Sequence, residues 1–355
     1  MNNDSTIHSS TIHYSFFSVL SKGDSILTVN NLDVGYKGKK EIKTVLKDLN
    51  LALHDRQLTC LLGPNGSGKS TLIRSITGIQ KALSGSVEIL HKSVFDYSQK
   101  EMARMVSMVL TDRTTPGNLT CYALVSLGRF PYTSWMGNLA KEDKDLIYGA
   151  LEATGTVRFA NRHVGELSDG ERQKIMIARA LVQDTPIIIL DEPTAHLDQP
   201  NRIEIFHLLK ELAHVSGKAI LMSTHDLDLA IHQADFLWLV TPQQTIVNGV
   251  PEDLVLAGQI EAAFKNENLH FDYHKGGLRR IATDMTKKAF KLEGPELLKI
   301  WTQNALERVG FEVLQEAKET ISISGDRHNA KWQLNELSYT SIQTLIESLT
   351  THEEN

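Results

Sequence analysis

The stretch Gly63-Pro64-Asn65-Gly66-Ser67-Gly68-Lys69-Ser70-Thr71 constrains this chain more than any other. An apolar run, Leu58-Thr59-Cys60-Leu61-Leu62, precedes it, and Leu72-Ile73-Arg74-Ser75-Ile76 follows with apolar residues at helical spacing. Strand, glycine loop and helix in that order, with the spacing G-x-x-x-x-G-K-[ST], predict a P-loop. Glycines let the main chain curl tightly, so that successive N–H groups point inward at phosphate oxygens. The N-terminus of the following helix adds partial positive charge. Residues Gly63 to Thr71 are therefore candidate nucleotide ligands, with Lys69 reaching the β- and γ-phosphates of ATP and the Ser70 hydroxyl on Mg²⁺.

Phosphate chemistry also needs a carboxylate for the metal and a group to aim water. Pro186-Ile187-Ile188-Ile189-Leu190 is a β-branched run of the kind a strand covered on both faces requires, and Asp191-Glu192-Pro193 ends it. Ligands of open α/β sheets bind at the carboxyl ends of strands, which is where Asp191 falls. Asp191 is the candidate metal ligand, and Glu192 the candidate group that polarises a water against the γ-phosphate. His225 ends the next predicted strand and can hydrogen-bond the same phosphate or water. A third stretch, Leu167-Ser168-Asp169-Gly170-Glu171-Arg172-Gln173, opens a helical segment. Taken alone it is a Ser-capped helix. Beside a P-loop it predicts a second phosphate surface, with Ser168, Gly170 and Glu171 serving a nucleotide held by another copy of the chain.

Around these motifs the pattern alternates. Short strands at Ser25–Val29, Leu32–Tyr36 and Val45–Leu51, with a turn at Asn30-Asn31, predict an antiparallel subdomain that opens the chain, and Gly85–Leu90 is a further strand after the P-loop helix. Val106–Leu110, Pro186–Leu190, Ala219–Met222 and Phe236–Val240 alternate with helices, which predicts a three-layer α/β core. Residues from about 112 to 165 form a helical insert, with helices expected at Leu119–Val125 and Asp143–Ala153. The predicted domains are a loose tail at 1–23, a nucleotide-binding domain at 24–262 and a small α+β domain at 263–355. In the last, a helix at Gly294–Val309, three short strands and a closing helix at Ser341–Leu349 are expected. His270-Phe271-Asp272-Tyr273-His274 carries potential metal ligands but reads as a solvated linker.

Composition narrows the partners. A net charge of -6 disfavours general nucleic-acid binding. No apolar run is long enough to span a bilayer, and no Lys or Arg precedes the Tyr14-Ser15-Phe16-Phe17 patch as a secretory signal would need. Cys60 and Cys121 lie far apart without a C-x-x-C pairing, which fits a reducing compartment.

Over residues 25–260 the chain resembles the ATP-binding subunits of ABC transporters. The resemblance rests on the P-loop, Leu167–Gln173 as the signature, Asp191-Glu192, the loop Ala195-His196-Leu197-Asp198 and His225, all in family order. It implies a P-loop NTPase fold acting as a homodimer, with ATP and Mg²⁺ between the copies. Ala195–Asp198 would face the second copy, and Tyr36 would stack on adenine, the alternative being a core or edge-strand tyrosine. Leu127-Gly128-Arg129-Phe130-Pro131-Tyr132, with Trp135-Met136-Gly137 and Glu142-Asp143, is similar to the insert of metal-chelate importers. That similarity implies an ATPase that drives uptake of ferric siderophores, haem or cobalamin. Its partners would be a multi-span permease and, through it, a substrate-binding protein. Its place would be the cytoplasmic face of the cell membrane, as a peripheral subunit. A non-transport ATPase of the same fold, or an exporter subunit, is the rival. Two departures stand out. Thr111, with Asp112 next, occupies the position where the family places a metal-contacting Gln, and is the candidate there; Gln99 lies too early to replace it. Asp169 replaces a glycine of the signature and brings a carboxylate toward a phosphate, which predicts slower closure on ATP unless the side chain turns away.

Overall fold

The computed structural model describes residues 25–38, 41–110, 118–133, 138–264, 269–273, 276–280 and 288–351. They divide into two compact units. One holds the described residues up to Phe264 together with 271–273 and 276–278, and the other holds 269–270, 279–280 and 288–351.

The first unit contains two large sheets among its described residues. Strands β1 (Ser25–Lys37), β2 (Ile42–His54), β4 (Ser84–Ile89) and β5 (Lys92–Ser93) form an antiparallel sheet ordered β2-β1-β4-β5. The expected turn at Asn30-Asn31 is instead a bulge inside one continuous strand. The register against β2 shifts between Val29 and Leu32, and Asn31 takes a positive φ of 46°. The Asn50 side chain on β2 accepts the Asn31 N–H at 3.0 Å, so the bulge leaves that donor satisfied.

Strands β3 (Gln57–Leu62), β6 (Val106–Val109), β7 (Ile187–Asp191), β8 (Ala219–Thr224), β9 (Phe236–Val240) and β10 (Ile246–Gly249) build the second sheet, ordered β10-β9-β3-β8-β7-β6. All but β10 run parallel. Residues of one parity (Cys60, Ile188, Leu190, Ile220, Met222) pack on one face, and the other parity (Leu61, Ile187, Ile189, Leu221) on the opposite face with the antiparallel sheet. This is why the apolar runs are continuous: each strand has two dry faces. Cys60 is fully buried, and burial pushes its thiol far above the usual range, which makes it an inert apolar filler.

Helix α1 (Lys69–Ile76) follows the P-loop, and α2 (Gln99–Met105) opens with a capping box between Ser98 and Glu101. The insert contains α3 (Cys121–Ser126) and α4 (Lys141–Ala153), close to the expected spans. They lead to α5 (Asp169–Val182), then α6 (Gln199–Ser216) and α7 (Leu227–Gln233). The Leu127–Tyr132 motif fastens the insert to α5. A Cβ on Gly128 would lie 2.4 Å from the Arg179 carbonyl oxygen, so only glycine allows this approach. Buried Arg129 pairs with Asp143 at 2.8 Å, donates to the Val182 carbonyl at the end of α5 at 3.0 Å, and lies over the Tyr132 ring. Phe271 is buried in this unit, which the expected solvated linker did not foresee, while His270 and Tyr273 are exposed and His274 lies outside the described residues.

The second unit has a five-stranded sheet in the order Glu312–Val313, Ala289–Glu293, Glu319–Ser324, Lys331–Leu334, Leu337–Tyr339. Helices Glu296–Arg308 and Ile342–Thr351 complete a small core around Phe290, Leu306, Ile321 and Leu345. Trp332 is buried and its indole N–H donates to Thr302 Oγ1 at 2.7 Å.

Replacing Asp143 with Ala strands a buried guanidinium. The expected cost is about 3–5 kcal/mol of stability, read as a lower denaturant midpoint of the full chain; an unchanged midpoint contradicts the assigned role of the pair.

Candidate functional site: a phosphate cleft at three strand ends

Strands β3, β8 and β7 lie side by side, with Leu62 opposite Thr224 and Asp191 opposite Ser223. That register alone brings the P-loop, His225 and the Asp191-Glu192 pair abreast at one sheet edge. Between β3 and α1 the main chain turns back, with the Ser67 N–H donating to the Pro64 carbonyl. Gly68 then enters the helix at φ 103°, where a Cβ would sit 2.5 Å from Val45 Cγ1. No side chain caps the first turn of α1, so its N–H groups face the cleft without a built-in acceptor. The Ser67 hydroxyl is buried there with no hydrogen-bond partner among the described residues. An anion seated in the loop would supply acceptors for both.

The cleft has a volume of about 590 Å³, ample for a nucleotide. Tyr36 lines it beside Pro64–Thr71, Glu192 and the turn of Val240–Gln244. Tyr36 is 47% exposed, and its hydroxyl lies 3.0 Å from Thr71 Oγ1, which ties the antiparallel sheet to α1 and leaves the ring open to the cleft.

Lys69 is only 5% exposed. Its ammonium donates to the carbonyl oxygens of Gly63 at 2.9 Å and Pro64 at 3.2 Å, and pairs with Glu192 Oε1 at 3.4 Å. The other Glu192 oxygen lies 3.6 Å from His225 Nδ1. Glu192 thus stands between the P-loop cation and the histidine. Its backbone has a positive φ of 46°, a strained conformation for a side-chain-bearing residue worth about 1–3 kcal/mol.

Ser223, which the sequence reading passed over, holds this geometry. Its hydroxyl donates to Asp191 Oδ1 at 2.6 Å and accepts the Glu192 N–H at 2.9 Å. One buried hydroxyl therefore aims the Asp191 carboxylate and pins the main chain at Glu192. A serine closing the apolar run Ala219–Met222 was the available signal, since a buried hydroxyl in a core strand needs a partner. The Ser70 hydroxyl and the Asp191 carboxylate are hard oxygen donors, the type Mg²⁺ prefers. Thr111 and Asp112 lie outside the described residues.

Ser168 is the N-cap of α5. Its hydroxyl donates to Glu171 Oε2 at 3.0 Å and accepts the Glu171 N–H at 3.3 Å. Glu171 also accepts the Ser168 main-chain N–H at 3.0 Å, and this bond first, with the hydroxyl's, holds its carboxyl below the ordinary range. Asp169 turns onto Arg172, with Oδ1 3.0 Å from Nη1. The side chain expected to repel a phosphate is thus paired with a cation of its own helix. Gly170 has no room for a Cβ, which would lie 2.6 Å from Asn201 Oδ1.

Comparison with known proteins gives the family. The family model described as "ABC transporter" matches residues 46–195. An uncharacterised ABC transporter ATP-binding protein of Methanocaldococcus jannaschii is 37% identical over 246 residues, 69% of this chain and 83% of that one. The chain belongs to the ABC transporter ATP-binding proteins. A petrobactin import ATP-binding protein of Bacillus anthracis is 36% identical, over 63% of this chain and 82% of its own length. A bacterial ABC transporter cassette solved as a dimer superposes with TM-score 0.52 and 30% identity, covering 60% of this chain and 93% of that one. Residues 286–350 match the model described as "Iron ABC transporter C-terminal domain". As an ABC ATP-binding protein the chain is an ATPase with an ABC-type α/β fold. No helix among the described residues is long and apolar enough to cross a membrane.

Removing the Ser223 hydroxyl should misaim the Asp191 carboxylate and release the main chain at Glu192. Ser223→Ala is expected to lower the ATPase kcat by about ten- to a hundredfold with a smaller change in ATP affinity. Phosphate-release kinetics beside equilibrium binding measure this, and a native kcat removes Ser223 from the role.

Proposed function

We propose that this chain is the ATP-hydrolysing motor of an importer for iron chelates, working as a symmetric pair on a multi-span permease. The observation that carries the mechanism is Glu192 lying between Lys69 and His225 at the end of β7. The cargo class is supported by the match of residues 286–350 to an iron-transporter domain and by the petrobactin-import relative. Ferric siderophores fit best; haem and cobalamin are the neighbouring choices. A substrate-binding protein would deliver the chelate through the permease. The motor would sit as a peripheral subunit on the cytoplasmic face of the membrane.

In each cycle ATP enters the cleft with its adenine against Tyr36 and its phosphates within Gly63–Thr71. Lys69 exchanges its two main-chain carbonyls for phosphate oxygens, a short movement for a group already poised in the loop. Ser70 and Asp191 would hold Mg²⁺, which when bound offsets phosphate charge. Ser168 and Gly170 of the second copy close over the γ-phosphate, and the Ser168 hydroxyl leaves Glu171 to do so. Glu192 accepts a hydrogen bond from water and directs it in line at the γ-phosphorus, while His225 holds the phosphate or the water. A P–O bond forms to water, the bond to the bridging oxygen of ADP breaks, and the water's proton passes to Glu192. ADP and phosphate leave, and the pair reopens.

Glu192→Gln keeps the shape but not the negative charge that draws the proton. It is expected to bind ATP, to accumulate as an ATP-bound dimer on size exclusion, and to lose about a hundredfold or more of its turnover. A variant that hydrolyses ATP at the native rate refutes the mechanism.

A further inference from the structure

The exclusion of a Cβ at Gly170 has a particular cause. Gly170 does not adopt a positive φ, so its glycine is demanded by space rather than by backbone conformation. The space is filled by Asn201 in the first turn of α6. Its Oδ1 and Cγ lie 2.6 and 2.8 Å from where a Cβ would stand. Asn201 is itself fixed: its Nδ2 donates to Asp198 Oδ1 at 2.6 Å, and its main-chain N–H donates to the same oxygen at 3.1 Å. Because only the amide nitrogen can donate to that carboxylate, the amide oxygen faces Gly170. One turn further along both helices, Lys174 of α5 meets Glu204 of α6 at 2.5 Å. Asp198 closes the short turn that runs from Glu192, in which Ala195 donates to the Glu192 carbonyl and Leu197 to that of Thr194.

Resting on the shared-site proposal above, we infer that Asn201 is a positioning residue that sets the Ser168–Gly170 segment for the nucleotide of the second copy. It is a peg between Asp198 and Gly170. It touches no phosphate; it fixes the height of the loop that does. The glycine at 170 and the asparagine at 201 are then a matched pair, and neither is understood without the other.

The test uses the full chain and three variants: Gly170→Ala, Asn201→Ala and the two combined. ATP-driven dimerisation is read by light scattering in the Glu192→Gln background. Turnover is read with native Glu192, and cleft affinity with a fluorescent ATP analogue. Asn201→Ala is expected to leave cleft affinity unchanged and to lower dimerisation and kcat about tenfold or more. Gly170→Ala, with its methyl driven into Asn201, is expected to lose both. The combined variant is expected to recover to the Asn201→Ala level, because the obstructing side chain is gone. That recovery also shows that the Gly170→Ala chain is not simply misfolded. A native kcat and dimerisation in Asn201→Ala, or a combined variant as inactive as Gly170→Ala, overturns the inference. If Glu192→Gln with native Asn201 stays monomeric in ATP, the shared-site proposal itself falls and takes this inference with it, a failure visible before any other variant is made.

Discussion

A charged ammonium that is withdrawn from water must be surrounded by oxygen, and Lys69 imposes that requirement on everything around it. Two carbonyls of its own loop and the carboxylate of Glu192 meet the demand. The loop can offer those carbonyls only because it curls back on itself before Gly68. Glu192 is within reach only because β7 lies one strand away from β3, across β8. The cleft is therefore organised around a positive charge before any ligand arrives. Little reorganisation is left for the moment of binding, which is the economy of a preformed electrostatic site.

The same logic explains why so much hangs on Ser223. Parallel strands deliver side chains to a common edge, but a strand end is a coarse aiming device. The last correction comes from a buried hydroxyl that bonds one carboxylate and the main chain of the next residue. The left-handed backbone at Glu192 is held in place by that second bond. The dry sandwich behind the edge, with alternate residues packed on opposite faces, resists any relaxation of it.

Much of this could be read from residue order. The P-loop, the acidic pair after the Ile run and the strand-end His225 each sit where a period changes, from strand to turn or from turn to helix, and such changes are local. The core strands were visible because both faces are dry. The helix Asp169–Val182 has Ser168 as a visible cap at its start, whereas Lys141–Ala153 follows Ala140, whose side chain cannot cap, and its start is expected two residues late, at Asp143. What escaped depends on contacts distant in sequence. The bulge at Asn31 is completed by Asn50, nineteen positions away. The role of Ser223 needs Asp191, thirty-two positions away. The strand Ala289–Glu293 offers only Phe290 and Leu292 as an alternating pair, too little to distinguish it from its charged surroundings. The part of the cleft lined by Val240–Gln244 carries no motif, being selected by its position beside β3.

The turn at Leu127–Arg129 belongs to the motif that fastens the insert to α5. Its neighbour Phe130 is 75% exposed, while the residues beside it are locked to the far end of the helix that Ser168 caps. Densely packed protein yields little under load. A force applied to that protruding ring would therefore not be absorbed locally. It would tilt α5 as a rigid rod, and the displacement would emerge at the opposite tip, where Ser168 stands.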